Sequence, residues 1–348
     1  MGVAAEAPRD RRHPVTGVLD PLRRLSPVVR LAPAKLNLTL AVVGRREDGY
    51  HTLHSVFVPL TLADRLSLAP LGGDRDTLHV SGLDAGPPAD NLVFRALAAA
   101  RAAVGGGWAG GPGPAPALAA RLDKRIPVAA GLAGGSSDAA AALDGAIEAW
   151  GAELDEPARH AVAARLGSDV PFFLAGGPAL VEGRGERVAP LHGLHGAPGV
   201  VLVTPVVAVS TPDVFAAFDA IRTHGDGAVR MSSTHLAEEL RSGLTADNLV
   251  ARAGVLASAN DLLPATSLVV PALVPFKRGL SRLLGRPIGL SGSGPTLWAL
   301  YASETDAAGA AEIVRTALAD GRLEPPGNAA PFVIATAIVS HSKQENEP

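Results

Sequence analysis

Residues 127–143 read PVAAGLAGGSSDAAAAL, a glycine- and alanine-rich run that meets two serines and passes into an alanine-rich stretch. Glycine lacks a Cβ, so an anion can approach the backbone closely. The first turn of a helix adds N–H groups without intrahelical acceptors and the positive end of the helix dipole. The segment is therefore a candidate phosphate cradle. An ordinary serine-capped helix after a flexible turn is the plainer reading of the same residues. Neither common nucleotide fingerprint is present: GxxxxGK followed by Ser or Thr is absent, the glycines do not fit GxGxxG, and the serines do not lie in GxSxG.

Two single residues carry other chemistry. Lys35, in APAKLNL (32–38), is one of only four lysines, at 35, 124, 277 and 343, and sits inside an early apolar strand pattern. A surface lysine whose head reaches water and a functional cation are both open readings there. Asp169, in LGSDVPFF (166–173), follows a helix stop and precedes Pro171 and two phenylalanines. It reads either as a cap for the next turn or as an acid/base group among apolar neighbours.

The elements that would hold these residues read as α+β. Short β-leaning runs at 28–31, 36–43, 53–60, 65–69 and 78–80 precede a helix over 91–104 capped by Asp90. A glycine- and proline-rich insertion, 105–116, separates it from a strand over 117–125, the glycine loop, a helix from Ser136 or Ser137 to Trp150, and a helix from Asp155 to Leu166. After 192–199 a second set begins: a strand at 200–203, a helix entered by Thr211 and Pro212, helices around 234–241, 247–257 and 271–284, strands at 288–290 and 297–301, a helix over 305–318 and a last strand at 332–338. Two α+β domains, 28–190 and 191–340, fit this alternation, with residues 1–27 as a disordered cytoplasmic tail.

Composition removes several classes of function. The 348 residues carry 31 Lys+Arg against 34 Asp+Glu, so no basic excess exists to neutralise a nucleic-acid backbone. The apolar runs are strand-sized, shorter than the roughly 20 residues a membrane span needs. There is no cysteine, which excludes disulfides, thiolate nucleophiles and Cys-ligated metals. The ten histidines form no HExxH pattern, so no metal site is expected.

APAKLNL, GRREDGYHTLHSVF, GGSSDAAAAL, LGSDVPFF with EGRGE, STPDVF and LSGSGPT occur in this order, and together they resemble the GHMP kinase superfamily over about residues 28 to 340. Within it the match is to the branch that phosphorylates a cytidine-diphosphate polyol, diphosphocytidyl-methylerythritol, on the non-mevalonate route to isoprenoid precursors. The resemblance implies a two-domain fold, an N-terminal domain like the second domain of ribosomal protein S5 and a C-terminal ferredoxin-like αβ plait, with ATP and Mg2+ as cofactors. It implies a catalytic pair, Lys35 and Asp169, in which Asp169 takes the proton of the acceptor hydroxyl and Lys35 holds the carboxylate ionised. ATP would be held by Pro127, Val128, Ala129, Ala130, Gly131, Leu132, Ala133, Gly134, Gly135, Ser136 and Ser137, with Asn91, Leu92 and Lys124 around the adenine. Ser136 and Ser137 are also the hydroxyls that could face Mg2+. The polyol would meet Asn37, Tyr50, His51 and Phe215, the tyrosine and phenylalanine sandwiching the cytosine and the histidine reading its edge. Ala133 departs from the pattern, standing where many members have a third glycine. The partners implied are small molecules only, neither nucleic acid nor membrane, for a monomer or homodimer. The alternatives are a kinase of the same superfamily acting on another small alcohol, and a nucleotide-binding homologue without turnover.

Overall fold

The computed structural model describes residues 27–87, 90–111, 113–221, 227–327 and 329–340. The expected tail, 1–27, lies outside the described residues apart from Pro27. Seven strands form the first sheet: β1 (Val28–Asn37), β2 (Ala41–Arg45), β3 (His51–Pro70), β4 (Thr77–Gly82), β5 (Leu118–Lys124), β6 (Ala179–Gly183) and β7 (Arg187–Pro190). β3 pairs antiparallel with β1 and β2 along one side and with β5 and β6 along the other; β4 lies parallel to β5, and β7 antiparallel to β6.

Where the pattern predicts two strands, over 53–60 and 65–69, β3 is a single strand of 20 residues. Its stretch from His54 to Leu60 is buried on both faces, and only beyond Thr61 does burial alternate. Asp64 makes no turn between them because its carboxylate is satisfied inside, by the backbone N–H groups of Arg125 and Ile126.

Four helices belong with this sheet: α1 (Leu92–Val104), α2 (Gly134–Ala149), α3 (Glu156–Leu166) and α4 (Val170–Phe173). Leu66, Leu68, Leu118 and Leu122 of the sheet pack with Val93, Leu97, Leu143 and Trp150 of the helical layer. Asn91, not Asp90, caps α1, accepting from the Val93 N–H at 3.0 Å, while Asp155 caps α3 as its position predicts. α2 begins two residues before the serines, because Ala133 in the left-handed conformation already ends the loop. The described residues of 105–116 form neither helix nor strand, yet Trp108 packs against the first core.

A second sheet follows. Its neighbourhood holds β8 (Leu194–His195), β9 (Gly199–Thr204), α5 (Thr211–Ile221), α6 (Ala228–Ser242), β10 (Leu244–Thr245), α7 (Ala246–Ala251) and α8 (Ala253–Ser258). α9 (Leu263–Val269), α10 (Leu273–Leu284), β11 (Gly289–Leu290), β12 (Leu297–Tyr301), α11 (Glu304–Ala319) and β13 (Phe332–Ala337) complete it. The strands run β11-β12-β9-β13, all antiparallel. The single helix expected over 247–257 is broken at Arg252, whose guanidinium pairs with Glu239.

Val201, Val203 and Leu297 point toward α10 and α11. The opposite face, with Leu202, Trp298 and Leu300, shares a core with Val56, Val58 and Leu60 of β3. Thr336 locks the junction: its hydroxyl accepts from the Leu62 N–H at 2.9 Å and meets Thr61 Oγ1 at 2.9 Å. The doubly buried half of β3 thus has a physical cause, with helices on one side and a second sheet on the other.

Candidate active site

The described residues of both layers meet at a cleft of about 450 Å3. β1 delivers Lys35 to it by an irregularity. Pro33 and Pro59 have no N–H to give to the β1–β3 ladder, and the register shifts between Pro33 and Lys35, opposite Pro59. The Lys35 N–H, released from β3, donates to Leu132 O at 3.0 Å and so ties the strand to the glycine loop. The side chain is buried, with Nζ 2.6 Å from Asn37 Oδ1, 4.8 Å from the centre of the Phe57 ring and 3.9 Å from Asp169 Oδ2. Burial pushes the ammonium below the ordinary lysine range, and the Asp169 charge opposes that shift.

Asp169 sits at the N-cap position of α4, but its carboxylate makes no capping bond and remains about one third exposed toward the cleft that it lines. Asn37 presents its amide in a defined sense: Oδ1 accepts from Lys35, and Nδ2 donates to Ser55 Oγ at 3.1 Å. The second N–H of Nδ2 is then the group it can offer to a ligand.

The glycine loop spans the cleft with its carbonyls held from behind. Leu132 O accepts from Lys35, Gly131 O from Ser291 Oγ at 2.9 Å, and Ala130 O from the Thr296 N–H at 3.4 Å. With those carbonyls engaged, the first-turn N–H groups of α2 are left for an anion. Gly131 is required by close approach: a Cβ there would lie 2.5 Å from Ser291 O, at φ +77°. Ala129 and Ala133 adopt φ 55° and 54°, the left-handed region that costs an L-residue roughly 1–2 kcal/mol.

Most of the residues expected to bind ATP stand on the cleft wall: Asn91, Leu92, Lys124, Pro127, Val128, Ala129, Ala130, Gly131, Ala133, Gly134, Gly135 and Ser136. Leu132 and Ser137 do not; both are buried, and Ser137 Oγ has no hydrogen-bond partner. Asn91 has its side-chain oxygen committed to capping α1. Lys124 is buried in an ion cluster, its Nζ bonded to Asp64 and, at 2.8 Å, to Asp138 Oδ2. Burial raises the Asp138 pKa to about 7, Lys124 pulling it down and Asp64 pushing it up.

The residues expected at the base are arranged differently from an open sandwich. Phe215 lines the cleft, but His51 lies stacked on it at 4.7 Å and 18°, with Nε2 2.7 Å from Asp219 Oδ1. Arg45 holds the other oxygen of Asp219 at 3.3 Å. Tyr50 stands apart, 55% exposed, its ring under the Arg184 guanidinium. Sequence reasoning did not single out Asp219, Asp64 or Asp138, three acids spread over α5, β3 and α2; only Asp138, beside the serine pair, carried a local signal. Gly292 and Ser293, from the LSGSGPT segment, complete the wall.

A family model described as the GHMP kinases N terminal domain matches residues 91–177. A protein of Pelotomaculum thermopropionicum named 4-diphosphocytidyl-2-C-methyl-D-erythritol kinase is 40% identical over 277 residues, 79% of this chain and 89% of its own. One of the same name from Nocardia farcinica is 41% identical over 309 residues, 84% and 94% of the two chains. A crystal structure of 4-(cytidine 5'-diphospho)-2C-methyl-D-erythritol kinase superposes with a TM-score of 0.64 at 33% identity, covering 90% of this chain and all of that one. A homoserine kinase from Cytophaga hutchinsonii, with a TM-score of 0.64 at 17% identity over 90% of this chain and 96% of its own, shares the α+β fold. With identities of this size over most of both chains, the protein belongs to the 4-diphosphocytidyl-2-C-methyl-D-erythritol kinase family of GHMP kinases.

Proposed function

We propose that the chain transfers the γ-phosphoryl group of ATP to the 2-hydroxyl of 4-diphosphocytidyl-2-C-methyl-D-erythritol, giving the 2-phosphate and ADP. The observation that carries this reading is the facing of Lys35 Nζ and the Asp169 carboxylate, 3.9 Å apart, in a cleft walled by a glycine loop at a helix N-terminus. Phosphoryl transfer asks mainly for positioning and charge stabilisation, and these groups offer both.

In the proposed reaction the first-turn N–H groups of α2 and the backbone of 129–135 hold the phosphates. Asp169 accepts the proton of the 2-hydroxyl as its oxygen attacks the γ-phosphorus in line; the bond to the β,γ-bridging oxygen breaks and ADP leaves. The proton passes from Asp169 to solvent. Lys35, fixed by Asn37, offsets the negative charge that the transferring group spreads over its oxygens. Phe215 and His51 bind the cytosine, supported by the clustering of His51 with Phe215 and Asp219; the proposal adds Tyr50, which that cluster does not include.

Among the described residues no three His, Cys, Asp or Glu side chains gather as metal ligands. Mg2+ would keep most of its shell in water and phosphate oxygens and needs one or two protein oxygens. Ser136 and Asp169, both on the cleft wall, are the residues whose oxygens would hold it in this proposal. When bound, the ion neutralises charge on the β- and γ-phosphates.

The same proposal divides the chain at residue 190, into an ATP-binding part like the second domain of ribosomal protein S5 and a ferredoxin-like plait. Sheet membership supports it: the seven-stranded sheet ends at Pro190 and the four-stranded one begins at Gly199. No helix among the described residues is long and apolar enough to cross a membrane; a cytoplasmic location is part of the proposal. Phosphorus NMR of the product tests the chemistry. A new phosphomonoester resonance, coupled to no other phosphorus, is expected beside an intact diphosphate; loss of the diphosphate signals, or transfer to another hydroxyl, would overturn it.

A further inference from the structure

Asp64 lies in the middle of β3, fully buried and outside the cleft lining. A buried carboxylate is tolerated only when its oxygens are satisfied. One oxygen accepts from two successive backbone N–H groups, Arg125 at 2.5 Å and Ile126 at 2.8 Å, and the other from Lys124 Nζ. Lys124 Nζ reaches on to Asp138 Oδ2 at 2.8 Å. Lys124 to Ile126 are the last residues before the glycine loop, and Asp138 lies in the helix directly after it. A single carboxylate in the neighbouring strand β3, far off only in sequence, therefore joins the strand that enters the loop to the helix that leaves it. Gly134 fits the same contact: a Cβ there would come within 3.0 Å of Lys124 Nζ and of the Ile126 side chain.

We propose that Asp64 is a positioning residue for ATP: through Lys124 and the Arg125 and Ile126 N–H groups it fixes the separation of β5 from α2, and with it the direction in which the loop presents its N–H groups. This rests on the reading of the loop as the phosphate cradle. Asp64 touches no substrate, and its effect falls first on the nucleotide side, because the side chains of Lys35, Asn37 and Asp169 meet one another and Ser55 rather than Asp64 or Lys124.

The test is a double-mutant cycle on the full chain with Asp64→Asn and Lys124→Met, reading Mg2+-ATP affinity by calorimetry without the polyol, then both KM values and kcat. Asp64→Asn keeps an acceptor for the N–H groups but removes the charge paired with Lys124. It is expected to raise the ATP Kd and KM about ten- to a hundredfold, as misplacement of a binding group does, with the polyol KM and kcat at saturating ATP within about twofold. If Asp64 acts through Lys124, Asp64→Asn adds little in the Lys124→Met background. Should Asp64→Asn alone fail to fold, the double variant, which removes both charges of the pair together, replaces it; an ATP Kd equal to that of Lys124→Met is expected. A folded Asp64→Asn with wild-type ATP affinity, one in which both KM values rise in parallel, fully additive effects in the cycle, or a double variant with wild-type ATP affinity would each overturn the inference. ATP that fails to bind the wild-type chain would overturn the proposed function as well, so the two failures are distinct.

Discussion

Lys35 and Asp169 are 134 positions apart, and the carboxylate is the partner that gives the buried ammonium a counter-charge. If Asp169 is the base, Asp169→Asn lowers kcat by about 10²–10⁴-fold, measured by steady-state kinetics at saturating Mg2+-ATP. Burial of Lys35 fixes the sign of a pH effect. Its pKa is lowered, so the charged form is complete at low pH and is lost, as pH rises, earlier than in an exposed lysine. The alkaline limb of kcat/KM should therefore fall below the ordinary lysine range and move upward in the residual activity of Lys35→Arg, whose guanidinium stays charged. A limb that does not move belongs to another group. Each residue stood out in the sequence because it combines a charged type with an apolar setting, but that setting left two readings open for each, and the family resemblance alone joined them as a pair. The arrangement at the expected cytosine site was not legible: that His51 covers Phe215 and is held by Asp219 depends on α5 meeting the first residue of β3, which no local pattern encodes.

The glycine loop shows how an element is shaped from both ends. Its carbonyls are taken by β1 and by the 291–296 turn, and its ends are joined beneath through Lys124. Gly131→Ala would drive a Cβ into Ser291 O at a positive φ, so a stability loss of roughly 1–3 kcal/mol and a raised ATP KM are expected. Ala133→Gly should do the reverse for stability. Relief of the left-handed strain exceeds the extra chain entropy of glycine, for a gain of about 0.5 kcal/mol in urea unfolding. Local signals gave α1, α3, β12 and α11 to within a residue or two, since caps and period are written in adjacent residues. They did not give the continuity of β3, because what keeps Asp64 in a strand is a pair of N–H groups some sixty positions away.

The molecule as a whole depends on β3 lying between a helical layer and a second sheet, with the cleft where the two halves meet. Thr336 serves this junction and stands outside the cleft lining. Thr336→Val should cost about 1–3 kcal/mol in urea unfolding by leaving the Leu62 N–H without an acceptor, with both KM values unchanged. A fall in activity without a fall in stability would assign Thr336 a different role. The α+β class was readable from the order of strands and helices, whereas the strand order and the shared core are long-range facts. The most direct test of the central claim is ADP release with Mg2+-ATP against 4-diphosphocytidyl-methylerythritol, homoserine and mevalonate in parallel. Turnover confined to the cytidylated alcohol is predicted. Comparable turnover of homoserine or mevalonate, or ADP release that needs no cytidylated alcohol, would contradict it.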